Sequence, residues 1–181
     1  MDRKTQGLNV IGQLAALRRY ALSLVRDPDD AEDLVHDALV RAYERQSTFR
    51  TGASIRNWLM SILHNTHVDR LRRRRSQERR HEAAAEIAET AVPANQDHSV
   101  RLNQLRSAFF ALPEEQREAL HLVAIEELSY QEAADALGIP VGTLMSRISR
   151  ARARLRALEE AGETASVTHL RLVGGSGDDQ Q

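Results

Sequence analysis

The stretch SYQEAADALGIPVGTLMSRISRARARLR, residues 129–156, carries the plainest structural instructions in the chain. Ser129 followed three residues later by Glu132 is a capping box, which opens a helix by satisfying orphan backbone N–H groups. Ala133, Ala134 and Leu137 give that helix a small apolar face. Gly138 tolerates positive φ, and Pro140 forbids simple continuation. A second helix is expected from Gly142 or Thr143, with Leu144, Ile148, Ala151 and Leu155 in one stripe. At about 100° per residue, Gly142, Ser146, Ser149, Arg150 and Ala153 face the other way, flanked by Arg147, Arg152 and Arg154. Two helices joined by a short Gly-containing turn predict a helix-turn-helix. A slim polar face edged by guanidinium groups suits the major groove of DNA.

An ordinary amphipathic hairpin with a solvated basic face is the plainer alternative. Five Arg and no Asp or Glu between Thr143 and Leu158 argue against it. A solvated helix normally mixes signs to gain i,i+4 pairs.

The 181 residues carry no Cys and only 4 % aromatic side chains, which excludes disulfides and thiolate sites and points to small all-helical bundles. No apolar run approaches the ~18 residues of a membrane span, and MDRKTQGLNV lacks a signal-peptide core, so a cytoplasmic protein is expected. The net charge of −1 hides a partition. Residues 27–37 hold six acids and no Lys or Arg, whereas 64–80 hold seven Arg against Asp69 and Glu78. Two basic stretches separated by acidic surface predict weak binding to naked DNA and docking of the acidic surface on a basic partner.

From the N-terminus, Asn9–Arg26 reads as a helix with Val10, Leu14, Leu17, Ala21 and Leu24 inward. Asp27 caps the next, with Pro28 at its first position, running to about Gln46. Its inner face is Ala31, Leu34, Val35, Ala38, Leu39, Ala42 and Tyr43, and its first-turn acids suit the helix dipole. QSTFRTGAS, 46–54, reads as a loop ending in the cap Ser54. A third helix follows, with Ile55, Trp58, Leu59, Ile62 and Thr66 buried. Asn57, Met60, Ser61, His64 and Val68, then Arg72 and Arg75, form its open face. His64 and His67 are spaced to share a metal, but no third ligand stands at sensible spacing and there is no Cys, so nucleic-acid-facing histidines and no metal are expected. Residues 76–100 read as the linker, its first part, 76–90, rich enough in Ala and Glu to continue the helix and 91–99 flexible, with 101–158 as a four-helix unit ending in the helix-turn-helix and 159–181 as a tail.

DPDDAEDLVHDALVRAYE at 27–44, WLMSILHNTHVDRLRRRR at 58–75 and residues 111–155 together resemble the extracytoplasmic-function (group 4) sigma factors of bacterial RNA polymerase, in the sigma-70 family. The ordered pair of domains carries the likeness, because a helix-turn-helix alone is common. The resemblance implies an all-α fold of two small helical domains: region 2, residues 9–75, and region 4, residues 101–158, joined by the linker. It implies core-polymerase docking through Asp33, Asp37 and Glu44. It places opening and capture of the −10 element on Phe49, Arg50, Thr51, Gly52, Ser54 and Asn65, with Arg72, Arg73 and Arg75 on phosphates. Extruding a base costs a few kcal/mol and needs a pocket with polar edges. Ser146, Ser149 and Arg150 would face −35 bases while Thr143, Arg147 and Arg154 take phosphates. Core polymerase, promoter DNA and a cognate anti-sigma protein are the implied partners, in a stress or environmental response. No catalytic residue, cofactor, small-molecule substrate or membrane insertion is implied. Two departures stand out: many members carry an aromatic residue at Ile55, and some a basic one at Met145, which cannot donate a hydrogen bond. The extra domains of housekeeping sigma factors are not expected.

A sigma mimic that sequesters an anti-sigma protein is the main alternative, but it need not keep the arginines of an intact recognition helix. A polymerase-independent repressor would need a dimer seam, and none is visible. An enzyme would need paired acids, a nucleophile or a phosphate loop, and none stands out.

Overall fold

Seven α-helices follow one another in the computed structural model, which describes residues 10–50, 52–80 and 100–171. Among these residues there is no strand. A short 3₁₀ turn leads into α1 (Leu14–Val25), and Arg26 at φ +66° ends it. Asp27 then caps α2 (Pro28–Glu44), accepting from the N–H groups of Asp29 and Asp30 at 3.0 and 2.9 Å. α3 (Ile55–Arg80) runs on through residues 76–80, the start of the linker, whose Ala and Glu content suits a continued helix, and 81–99 lie outside the described residues.

α1, α2 and α3 close a three-helix core. Leu17, Tyr20, Ala21 and Leu24 meet Leu34, Val35 and Ala38 of α2 and Leu59, Ile62 and Leu63 of α3. Each fully buried leucine contributes about 1.5–3 kcal/mol. Tyr43, expected inward, is 74 % exposed. The buried stripe of α2 ends at Ala42, and the next residue turns about 100° away from it. Arginines of α3 reach back over the acidic α2: Arg70 Nε donates to Asp37 Oδ2 at 3.0 Å, and Arg41 of α2 pairs with Asp69 at 2.8 Å.

α4 (Val100–Phe110) and α5 (Glu114–Ala124) lead into α6 (Tyr130–Leu137) and α7 (Val141–Arg171). The capping box at Ser129 is present, with the Glu132 carboxylate held below its usual pKa by hydrogen bonds from the Ser129 side chain and backbone. Gly138 sits at φ +63°, and the Ile139 N–H reaches back to the Ala134 carbonyl at 3.0 Å, a Schellman closure. Leu144, Ile148 and Ala151 then bury the inner stripe of α7. α7 continues through much of the segment read as a tail, and 172–181 lie outside the described residues. Leu102 and Leu105 of α4 stay nearly half exposed, because this helix packs chiefly against α7.

The two helical groups are in contact. α5 packs on α1 and α6 on α3, so a single buried cluster runs through both.

Candidate nucleic-acid and polymerase interface

The outer face of α7 is open. Ser149, Arg150 and Arg154 are exposed, as are Arg152 and Met145. Thr143 is half-buried, and the Ser146 hydroxyl donates to its carbonyl at 2.8 Å, which turns that hydroxyl inward. Arg147 is paired with Glu115 of α5 at 3.0 Å. The exposed polar groups of this face are therefore Ser149 and Arg150, with the exposed, apolar Met145 on the same helix.

On the other helical group, Phe49 tilts against Trp58 with ring centroids 5.2 Å apart, fastening the loop to α3. Gly52 has φ +89°, a turn that side chains disfavour. Ser54 accepts from the Asn57 N–H at 3.3 Å, as its capping position requires. Arg50, Gly52 and Ser54 are exposed, and Thr51 lies outside the described residues. Further along α3, Asn65, Arg72, Arg73 and Arg75 are exposed, with Asn65 and Arg72 seven residues apart on one face. On α2, Asp33, Asp37 and Glu44 are exposed, though Asp37 shares its charge with Arg70 and Asp33 lends Arg70 its backbone carbonyl at 2.9 Å.

One edge of α3 departs from the sequence expectation. Asn57, Met60 and His64 were expected on an open face, yet Met60 is fully buried and His64 nearly so. They and His67 look towards α5 and α6 instead of solvent. His67 Nε2 lies 2.7 Å from Glu114 Oε1, an interaction that lowers the Glu114 pKa against the opposing effect of burial. Glu126, whose side chain is fully buried, receives Arg19 of α1 through two bonds of 3.0 Å, together with Arg56 of α3. His121 Nε2 stands 3.3 Å from the same carboxylate, short of hydrogen-bond geometry. Burial raises the Glu126 pKa, but the His121 imidazole and the Arg19 and Arg56 guanidinium groups beside it outweigh burial and bring it down to about 2. Arg117 is buried and donates to the Ser23 and Leu112 carbonyls at 2.6 and 2.8 Å. Sequence reading misses Arg19, Arg56, Glu114, Glu118 and Glu126, because each finds its partner on a helix remote in sequence. The i,i+3 histidines were the one visible half of this contact.

Family models describe both halves. Residues 13–77 match "Sigma-70 region 2" and residues 102–155 match "Sigma-70, region 4". The chain is 34 % identical over 177 residues to the ECF RNA polymerase sigma factor EcfG of Rhodopseudomonas palustris, covering 93 % of this chain and 95 % of that one. Its fold resembles the sigma factor RpoE of Bartonella quintana in complex with the anti-sigma factor NepR, with TM-score 0.73 and 36 % identity over 84 % of this chain and 94 % of that chain. It also resembles CnrH in complex with the cytosolic domain of CnrY, with TM-score 0.61 and 30 % identity over 86 % and 87 % of the two chains. Among the described residues no helix is long and apolar enough to cross a membrane. Two ordered helical regions, an arginine-edged recognition helix and these relatives lead to one conclusion: the chain belongs to the extracytoplasmic-function branch of the sigma-70 family, the factors that direct RNA polymerase to promoters.

Proposed function

We propose that this sigma factor docks on core RNA polymerase through Asp33, Asp37 and Glu44 and reads promoter DNA with two separate surfaces. The loop at Phe49–Ser54, with Asn65, captures the opened −10 strand, and Arg72, Arg73 and Arg75 hold its phosphates. Ser149 and Arg150 face −35 bases, with Ser146 beside them, while Thr143, Arg147 and Arg154 take phosphates. Arg147 exchanges Glu115 for DNA. The chain catalyses nothing itself and acts in the cytoplasm beside the polymerase. A small anti-sigma protein, the kind of partner bound to RpoE and to CnrH in their solved complexes, holds it inactive.

The observation that carries this reading is the pairing of an exposed recognition face on α7 with a covered edge on α3. Promoter elements about 25 base pairs apart lie ~85 Å apart at about 3.4 Å per base pair. A packed chain of this size has a radius of gyration of only about 16 Å. It cannot reach both elements while α5 and α6 lie on α3. The regions must part, and the 20 peptide steps from Arg80 to Val100 allow at most ~70 Å between those ends. Added to the width of each region, that reach suffices. The buried charges of the contact favour reversibility, since desolvation offsets much of what an ion pair gains.

Run-off transcription with core polymerase on genomic fragments tests the reading. Promoter-dependent transcripts are expected only when the chain is added. Unchanged transcription on every fragment would overturn it. A mimic would also bind the inhibitor but would be indifferent to loss of Arg150.

A further inference from the structure

Two histidines of α3 and two glutamates of α5 meet in the seam between the regions. His67 Nε2 is 2.7 Å from Glu114 Oε1, and His64 Nδ1 is 3.6 Å from Glu118 Oε1. Ligand atoms of His67, Glu114 and Glu118 all lie within 4.8 Å of one another. Spacings of i,i+3 on one helix and i,i+4 on the other put each pair on a single face. His67 and Glu118 are buried, and the buried Nδ1 of His64 makes no hydrogen bond.

Glu118 is buried while the Glu114 side chain is 42 % exposed, and a buried carboxylate needs positive charge or hydrogen-bond donors beside it. The neighbouring guanidinium, Arg117, donates its Nε and Nη1 to the Ser23 and Leu112 carbonyls, so its charge acts on the two glutamates at a distance and ligates neither. We propose that His64, His67, Glu114 and Glu118 hold one divalent transition-metal cation of the Zn²⁺ class, which staples region 2 to region 4.

Two carboxylates and two neutral imidazoles balance a dication. Imidazole nitrogen selects Zn²⁺, Co²⁺ or Ni²⁺ over Mg²⁺ and Ca²⁺, which prefer oxygen. Tetrahedral ligands at about 2.0–2.2 Å stand about 3.4 Å from one another. The separations among His67, Glu114 and Glu118 reach no more than 4.8 Å, so side-chain shifts of about 1 Å bring these three to ligand spacing, and His64, 3.6 Å from Glu118, swings further to take the fourth position. Separated regions offer only two ligands each, so the cation favours the packed form by its differential affinity. Its consequence, restraint of promoter engagement, rests on the function proposed above, whereas the site does not.

The test titrates the full-length chain with Zn²⁺ against a chromophoric chelator and follows Co²⁺ by its visible spectrum. One equivalent is expected, with the intense absorption of tetrahedral Co²⁺. Glu118→Gln and His64→Gln should each weaken binding at least about tenfold, the loss known even for residues that only support ligands. His36→Gln, at an exposed position on α2, should leave affinity unchanged. His64→Gln lies at the edge of the seam and remains informative if Glu118→Gln fails to fold. The site is overturned if micromolar Zn²⁺ gives no stoichiometric complex, or if both ligand variants bind like the parent. In run-off transcription, Zn²⁺ should lower the yield of the parent more than that of His64→Gln. Equal effects would overturn the staple, and binding measured without polymerase keeps the two failures distinct.

Discussion

Replacing Glu126 with Gln should loosen the contact between the regions more than any other change of one functional group. The carboxylate is fully buried and receives Arg19 from α1 and Arg56 from α3, with His121 of its own region 3.3 Å away. Its pKa of about 2, against 4.5 for a free glutamate, corresponds to about 3 kcal/mol of preference for the charged form at about 1.36 kcal/mol per unit. That figure is an upper bound on the contribution to closure, because Arg19 is half exposed and its charge is screened. A loss of about 1–3 kcal/mol shifts the ratio of packed to separated molecules about 5- to 150-fold. The pKa is depressed in the packed state, so the contribution is complete above about pH 4.5 and is lost as pH falls towards about 2. The chain has no Cys, so dyes on Ile11→Cys and Ala157→Cys, both exposed, report the separation by energy transfer. At pH 7 Glu126→Gln should lower transfer relative to the parent, and the difference should vanish between pH 4.5 and 2. A variant indistinguishable from the parent at pH 7, or a difference constant across that window, would refute the reasoning.

Gly138→Ala should cost about 1–2 kcal/mol, measured by denaturant unfolding, because φ is +63° and a Cβ there meets nothing within 4 Å. Backbone conformation alone sets that cost, so a neutral result would mean the turn adapts. Arg150→Ala should cost about 1–3 kcal/mol at one base position of the −35 element and relax its specificity. Arg154→Ala should instead weaken binding to all sequences alike and reduce the salt slope by about one. Footprints on a panel of single-base promoter variants separate the two outcomes.

Local chemistry was legible wherever the chain makes its own contacts. Asp27-Pro28, Ser129 with Glu132, and Gly138 before Pro140 mark helix ends through bonds to backbone groups a few residues away. The stripes on α2 and α7 were legible for the same reason, since periodicity reports a buried face whatever buries it. What covers a second face is not local. Tyr20 and Ser23 lay off the expected stripe of α1 but are buried, because His121 stacks on the one and Arg117 bonds to the carbonyl of the other. His64 and Asn57 look like groove-facing polar residues until α5 and α6 are laid against them. At the recognition helix, the tally of arginines was readable but their pairing was not: Glu115, far back in the sequence, holds Arg147.

Energy transfer between the same two dyes, read during initiation, puts the whole account at risk. In the free chain the regions touch and transfer should be efficient. In a transcriptionally competent complex with core polymerase and a promoter, elements ~85 Å apart should draw the dyes beyond transfer range. Efficient transfer persisting in that complex would contradict the account.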